Sequence, residues 1–261
     1  FALCSLFFYT GCARKLPFAT VDLHSHVAVS GANLDDLISA MDSSNVSTMF
    51  LLKEPHASNV DGDTGLDDEI AFVATQSTRF RFMYGGADLN PILHGLGYDG
   101  TFSTASLYPL GANSDAAAAL EVTWLQAVQA DPATWTTTFQ ANATAAVATG
   151  DYVCFGELGP LHFSRKAGQP SISFPANHAQ MLWLSDLAAT NSMCLDVHLE
   201  WNGTTKEEFE VLLAHNRNTK IIWDHSGWTT TGEATASAFS EMLAAHSNLY
   251  LSIKLRRPED E

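Results

Sequence analysis

Two histidines one residue apart, His24 and His26, close a short apolar run, VDLHSHV, at residues 21–27. In a β-strand, residues i and i+2 share a face, with Cα atoms about 6.5–7 Å apart. Two imidazoles so placed can lean onto one divalent ion, each at about 2.0–2.1 Å if the ion is zinc. Surface strand ends also carry such pairs, so the other strands decide its meaning. Three further apolar runs end in a metal-capable residue: Glu157 in YVCFGELGPL (152–161), His198 in SMCLDVHLEW (192–201) and His225 in KIIWDHSGW (220–228). Any one of these could be a histidine satisfied by a carbonyl; five such residues at matching ends point to a shared ligand. Neutral imidazoles with one carboxylate suit Zn²⁺, Mn²⁺ or Fe²⁺ better than Ca²⁺ or Mg²⁺, which prefer oxygen shells. Such an ion brings the pKa of a bound water to about 7 and polarises a carbonyl, as hydrolysis requires.

The elements that must position these residues can be read from periodicity. Strands are expected at 21–27, 46–54, 80–90, 152–161, 192–201, 220–228 and 249–255. Helices are expected at 34–44 (capped by Asn33), 67–76, 114–130, 134–149, near 176–190, 206–218 and 234–248. Pro91 to Leu110 has no clear period and reads as a long functional loop. Alternation without hairpin signals argues for a parallel sheet with crossover helices, and over this length for a (β/α)8 TIM barrel. The sequence stops just after strand seven, so the barrel is expected to be truncated before strand eight.

In such a barrel the site lies at the C-terminal strand ends. Other candidates there are Lys53 and Glu54 on the second strand, Asp88 and Asn90 on the third, and Lys254 on the seventh. Strand parity places Asp22 and Asp196 one layer below the ligands, and turns Asp224 away from His225, towards a helix. His162, Trp201 and Trp228 follow ligand strands; with Lys53 and Lys254 they would bind substrate, or they simply pack. His56, His94, His178, His215 and His246 read as ordinary surface or packing residues.

Thirteen Lys+Arg against 29 Asp+Glu leave a net charge of −16. That surface repels phosphate backbones, so nucleic acid is an unfavourable partner and a small-molecule substrate is expected. The first residues, FALCSLFFYTGC, form an apolar run ending in Thr10-Gly11-Cys12 and followed by Arg14 and Lys15. Residues 1–15 therefore read as a clipped lipoprotein-type signal and linker, with a lipid on Cys12 anchoring an exported, periplasmic or cell-surface protein. Residues 16–261 form the barrel domain. Cys4 belongs to the signal, while Cys154 and Cys194 fall in apolar strands and are expected to be buried thiols rather than a disulfide.

His-x-His on strand one, an acid on strand four and histidines on strands five and six resemble the amidohydrolase superfamily. The amidohydrolase-related branch is the nearer likeness, on FGELGPLHFS, CLDVHLEW, IIWDHSGW and LYLSIK, across about residues 19–255. The resemblance implies one or two divalent ions, commonly zinc, held by His24, His26, Glu157, His198 and His225, with Glu157 able to bridge two ions. It implies catalytic roles for His225 and Glu157, and a general-base aspartate on strand eight that this sequence does not include. The expected activity is metal-dependent hydrolysis of an amide, ester or lactone bond. Decarboxylation on the same scaffold is one alternative. A TatD-type nuclease is another, against which the acidic balance weighs. A non-catalytic, metal-clamped surface lipoprotein is the third; a closed four-ligand shell would favour it, an open metal position the enzyme.

Overall fold

The computed structural model describes residues 18–26, 33–53, 66–76, 78–109, 116–163, 170–226 and 234–253. Seven strands run parallel in chain order: β1 (Thr20–Ser25), β2 (Val46–Leu51), β3 (Phe80–Gly85), β4 (Tyr152–His162), β5 (Cys194–Leu199), β6 (Lys220–Ser226) and β7 (Leu249–Ile253). A two-residue strand, Ile172–Ser173, pairs antiparallel with the end of β4. Helices α1 (Leu34–Ser43), α2 (Leu66–Val73), α3 (Gly86–Gly97), α4 (Thr104–Leu107), α5 (Ala116–Ala130), α6 (Pro132–Thr149), α7 (Ala179–Thr190), α8 (Gly203–His215) and α9 (Ala236–Ala245) fill the crossovers. The result is a nearly closed parallel barrel of TIM-barrel type, as the alternating pattern requires.

Local chemistry sets the element boundaries. Asn33 caps α1 as expected, its side chain accepting from the Asp35 N–H at 2.9 Å. Asp131 caps α6 just before Pro132, and Gly150 ends that helix in the left-handed region at φ 74°. On β5 and β6, Leu195, Val197, Leu199, Ile221 and Trp223 pack in the main core beside Phe209, Leu212 and Leu213 of α8 and Met242 of α9. The alternate residues Asp196, His198, Ile222 and Asp224 consequently face the barrel interior.

Two expectations are corrected. The third strand does not run on to Asn90; it ends at Gly85, whose φ of 126° suits glycine, and the chain turns directly into α3. Asp88 and Asn90 therefore belong to a helix, and much of the supposed irregular loop is α3 and α4. Cys154 and Cys194 are not separate thiols. They are register partners on β4 and β5, with Cα atoms 4.4 Å apart, and form a disulfide.

Candidate metal centre

His24 sits where β1 approaches the barrel mouth. Its backbone N–H donates to Asp22 Oδ1 (3.1 Å), and the Ser25 hydroxyl donates to Asp22 Oδ2 (2.8 Å), so Asp22 braces the strand end locally. His26 lies just beyond. Its Nδ1 is 2.9 Å from the Leu52 carbonyl, which can only accept, so Nδ1 carries a proton and, in the neutral ring, the lone pair is on Nε2. A carbonyl that fixes the tautomer in this way is a usual support for a metal-binding imidazole.

From there the side chains converge. His24 Nε2 is 2.9 Å from His26 Nε2 and 3.4 Å from Glu157 Oε2, and His26 Nε2 is 3.7 Å from the same oxygen. Donors on one tetrahedral zinc stand about 3.3 Å apart, which follows from bonds of about 2.0–2.1 Å. The other ring nitrogen of His24, Nδ1, is 2.7 Å from Asp224 Oδ2, and the same oxygen is 3.2 Å from His225 Nε2. One donor atom each from His24, Glu157, Asp224 and His225 falls within 4.8 Å of the others. Two donor sets thus share His24 and Glu157.

The residues fit a cation on a further count. Both Asp224 oxygens and His24 Nδ1 are buried without an aligned hydrogen bond, despite the 2.7 Å approach. Both Asp196 oxygens are in the same state among the described residues, with Oδ2 3.7 Å from His24 Nδ1. Burying carboxylates this way is costly unless something else neutralises them.

Charge divides the cluster. Burial opposes a charge on His24, but Asp224 and Glu157 outweigh it and hold the imidazole well above its usual range. Burial alone would raise Glu157; the neighbouring His24 and His198 hold it well below the usual carboxylate range instead. Burial, with the Asp224 charge, pushes Asp196 up to about 7. Asp224 is held low by His24 against its own burial. His225 goes the other way: burial takes it down to about 3, the neutral form a metal ligand needs.

His198 stands at the inward-facing end of β5 and meets Glu157 directly. Its Nδ1 donates to Glu157 Oε1 at 2.5 Å, while Nε2 faces Glu200 Oε1 at 3.8 Å. Bracketed by two carboxylates against the cost of burial, it is raised to about 9. His162 sits beside it, ring centroids 4.4 Å apart.

Among the other candidates, Lys53 is buried at the end of β2 and pairs with Glu69 of α2 at 3.7 Å. Trp201 stacks on Trp223 at 4.8 Å and 18° within the core. Cys12, Glu54, His56, Trp228 and Lys254 lie outside the described residues. Asp224 is the residue that parity misplaced. It faces inwards, as Ile222 does, and His225 rejoins it through a left-handed φ of 49° that breaks strand alternation. Among the described residues no helix is long and apolar enough to cross a membrane. No protein-family model matches the chain, and no curated protein matches it.

Proposed function

We propose that the chain is a metal-dependent hydrolase of the amidohydrolase type, acting on an amide, ester or lactone bond of a small molecule. The observation that carries the reading is the convergence of His24, Glu157, Asp224 and His225 within 4.8 Å at the barrel mouth, with His26 closing one side. His24 and Glu157, common to both donor sets, would hold the ion, with His26, Asp224 and His225 as the remaining donors. When bound, a zinc-like ion supplies a Lewis acid and acidifies water. An ion would take the place of the proton on His24, while His198, joined to Glu157, stays as the neighbouring cation that favours the ionised carboxylate. His198, joined to Glu157, presents a cationic edge that can stabilise negative charge developing on a substrate oxygen. Asp196 Oδ2, buried 3.7 Å from His24 Nδ1, adds a further carboxyl group to the same cluster.

The test is the metal content of the purified protein by elemental analysis, followed by assay against a panel of esters, lactones and amides with and without a chelator. About one or two transition-metal ions per chain and chelator-sensitive turnover are expected. Protein that stays metal-free after incubation with Zn²⁺, Mn²⁺ and Fe²⁺ would overturn the reading.

A further inference from the structure

Glu157 stands on the least regular part of the barrel. The pairing of β4 with β5 slips between Phe155 and Leu158, and again between Leu158 and Leu161. Backbone groups in that stretch cannot all rely on the neighbouring strand, yet they are buried and need partners. Gly156 adds to the constraint, because a Cβ there would lie 2.6 Å from the Asp196 Cβ. Glu157 is therefore displayed from backbone that the sheet itself does not fully hold.

Asn90 reaches into this stretch from the second turn of α3, wholly buried. Its Nδ2 donates to the Glu157 carbonyl at 2.6 Å, and its Oδ1 accepts from the Gly159 N–H at 3.0 Å. A single amide orientation satisfies both bonds, since the carbonyl can only accept and the N–H can only donate. An aspartate would keep the second bond but set an oxygen against the Glu157 carbonyl. An alanine would lose both.

We propose that Asn90 is a positioning residue for Glu157: its amide fastens β4 on either side of Leu158 and so aims the Glu157 carboxylate at His24 and His198. The proposal rests on the hydrolase reading only for its metal arm, because the aim of Glu157 can be read without metal.

The test uses the full chain labelled with ¹⁵N-histidine. In metal-free protein the His198 Nδ1–H, held by Glu157 Oε1, should give a downfield imidazole proton signal, identified by its displacement or loss in Glu157→Gln, whose amide is a neutral and weaker acceptor. Asn90→Asp and Asn90→Ala should each lose or displace that signal, while the His94 ring signals stay in place and report a folded chain. Retention of an unshifted His198 signal in either folded variant would overturn the proposal. The Asp variant, nearly isosteric, provides a folded test if the Ala variant does not fold. The second arm titrates Co²⁺ by visible absorption. Loss of a supporting residue typically costs about 10–100-fold in metal affinity, and the Asn90 variants should show that loss in the wild-type background but not on top of Glu157→Gln. An equal loss in both backgrounds would mean that Asn90 does not act through Glu157, and would overturn the proposal. A wild-type protein that takes up no Co²⁺ would overturn the metal reading, leaving the histidine signal to decide the role of Asn90.

Discussion

His24 and His94 are both removed from water, yet their surroundings push them in opposite directions. His94 lies in α3 with its ring edge-on to Tyr98 and Phe102, at 5.5 and 4.9 Å, and burial takes it down to about 3. His24 meets the same burial, but Asp224 and Glu157 overcome it and hold the ring well above its usual range. Burial is common to both, so burial does not mark the candidate site. Converging carboxylates with unaligned oxygens do.

The sharpest way to break this contrast is to remove each ring in turn. Zinc bound at four protein donors typically gains about 10–16 kcal/mol, or about 2.5–4 kcal/mol per donor. His24→Ala should therefore weaken Zn²⁺ binding by about 10²–10³-fold in a chelator competition titration. His94→Leu should leave it unchanged. Equal affinity in wild type and His24→Ala would dissolve the distinction.

A smaller effect belongs to His94 and appears in stability. Its folded pKa, about 3, lies below the usual histidine value of about 6.5 in the unfolded chain. The unfolded state therefore binds more protons between those values, and stability falls as pH drops through about 6.5. Between pH 7 and pH 5 wild type should lose about 2 kcal/mol more than His94→Leu in urea unfolding. Parallel losses would show that this ring is more open to water than its packing implies. The smallest effect is expected where charges meet in water. Lys206 and Glu210 pair at 2.8 Å along α8, both partly exposed, and Lys206→Ala should shift stability by less than about 0.5 kcal/mol.

Much of the barrel was legible because its signals are local. Apolar runs, caps such as Asn33 and helical spacing survive in the sequence whatever the tertiary contacts. The third strand was overextended because FRFMYGG reads as one apolar run. The Gly85-Gly86 break and the spacing of Leu89, Ile92, Leu93 and Leu96 are a helix signal that was available. Asn90 was singled out as a strand-end residue, whereas its role comes from a helix that reaches β4 across 67 positions of sequence. Asp224 was turned the wrong way because parity assumes a regular strand, and the left-handed turn at His225 leaves no mark in residue type. The cysteine partnership depends on which positions of two parallel strands lie side by side, which spacing along the chain does not reveal.

That partnership has a consequence for how the molecule comes apart. The link between Cys154 and Cys194 makes a covalent ring of the intervening chain, and Arg165 and Lys166 are the only Lys or Arg inside it. Trypsin cutting there would open the ring without dividing it. The peptide bearing Glu157 and the peptide bearing His198 would travel as one mass and separate only when a reductant is added.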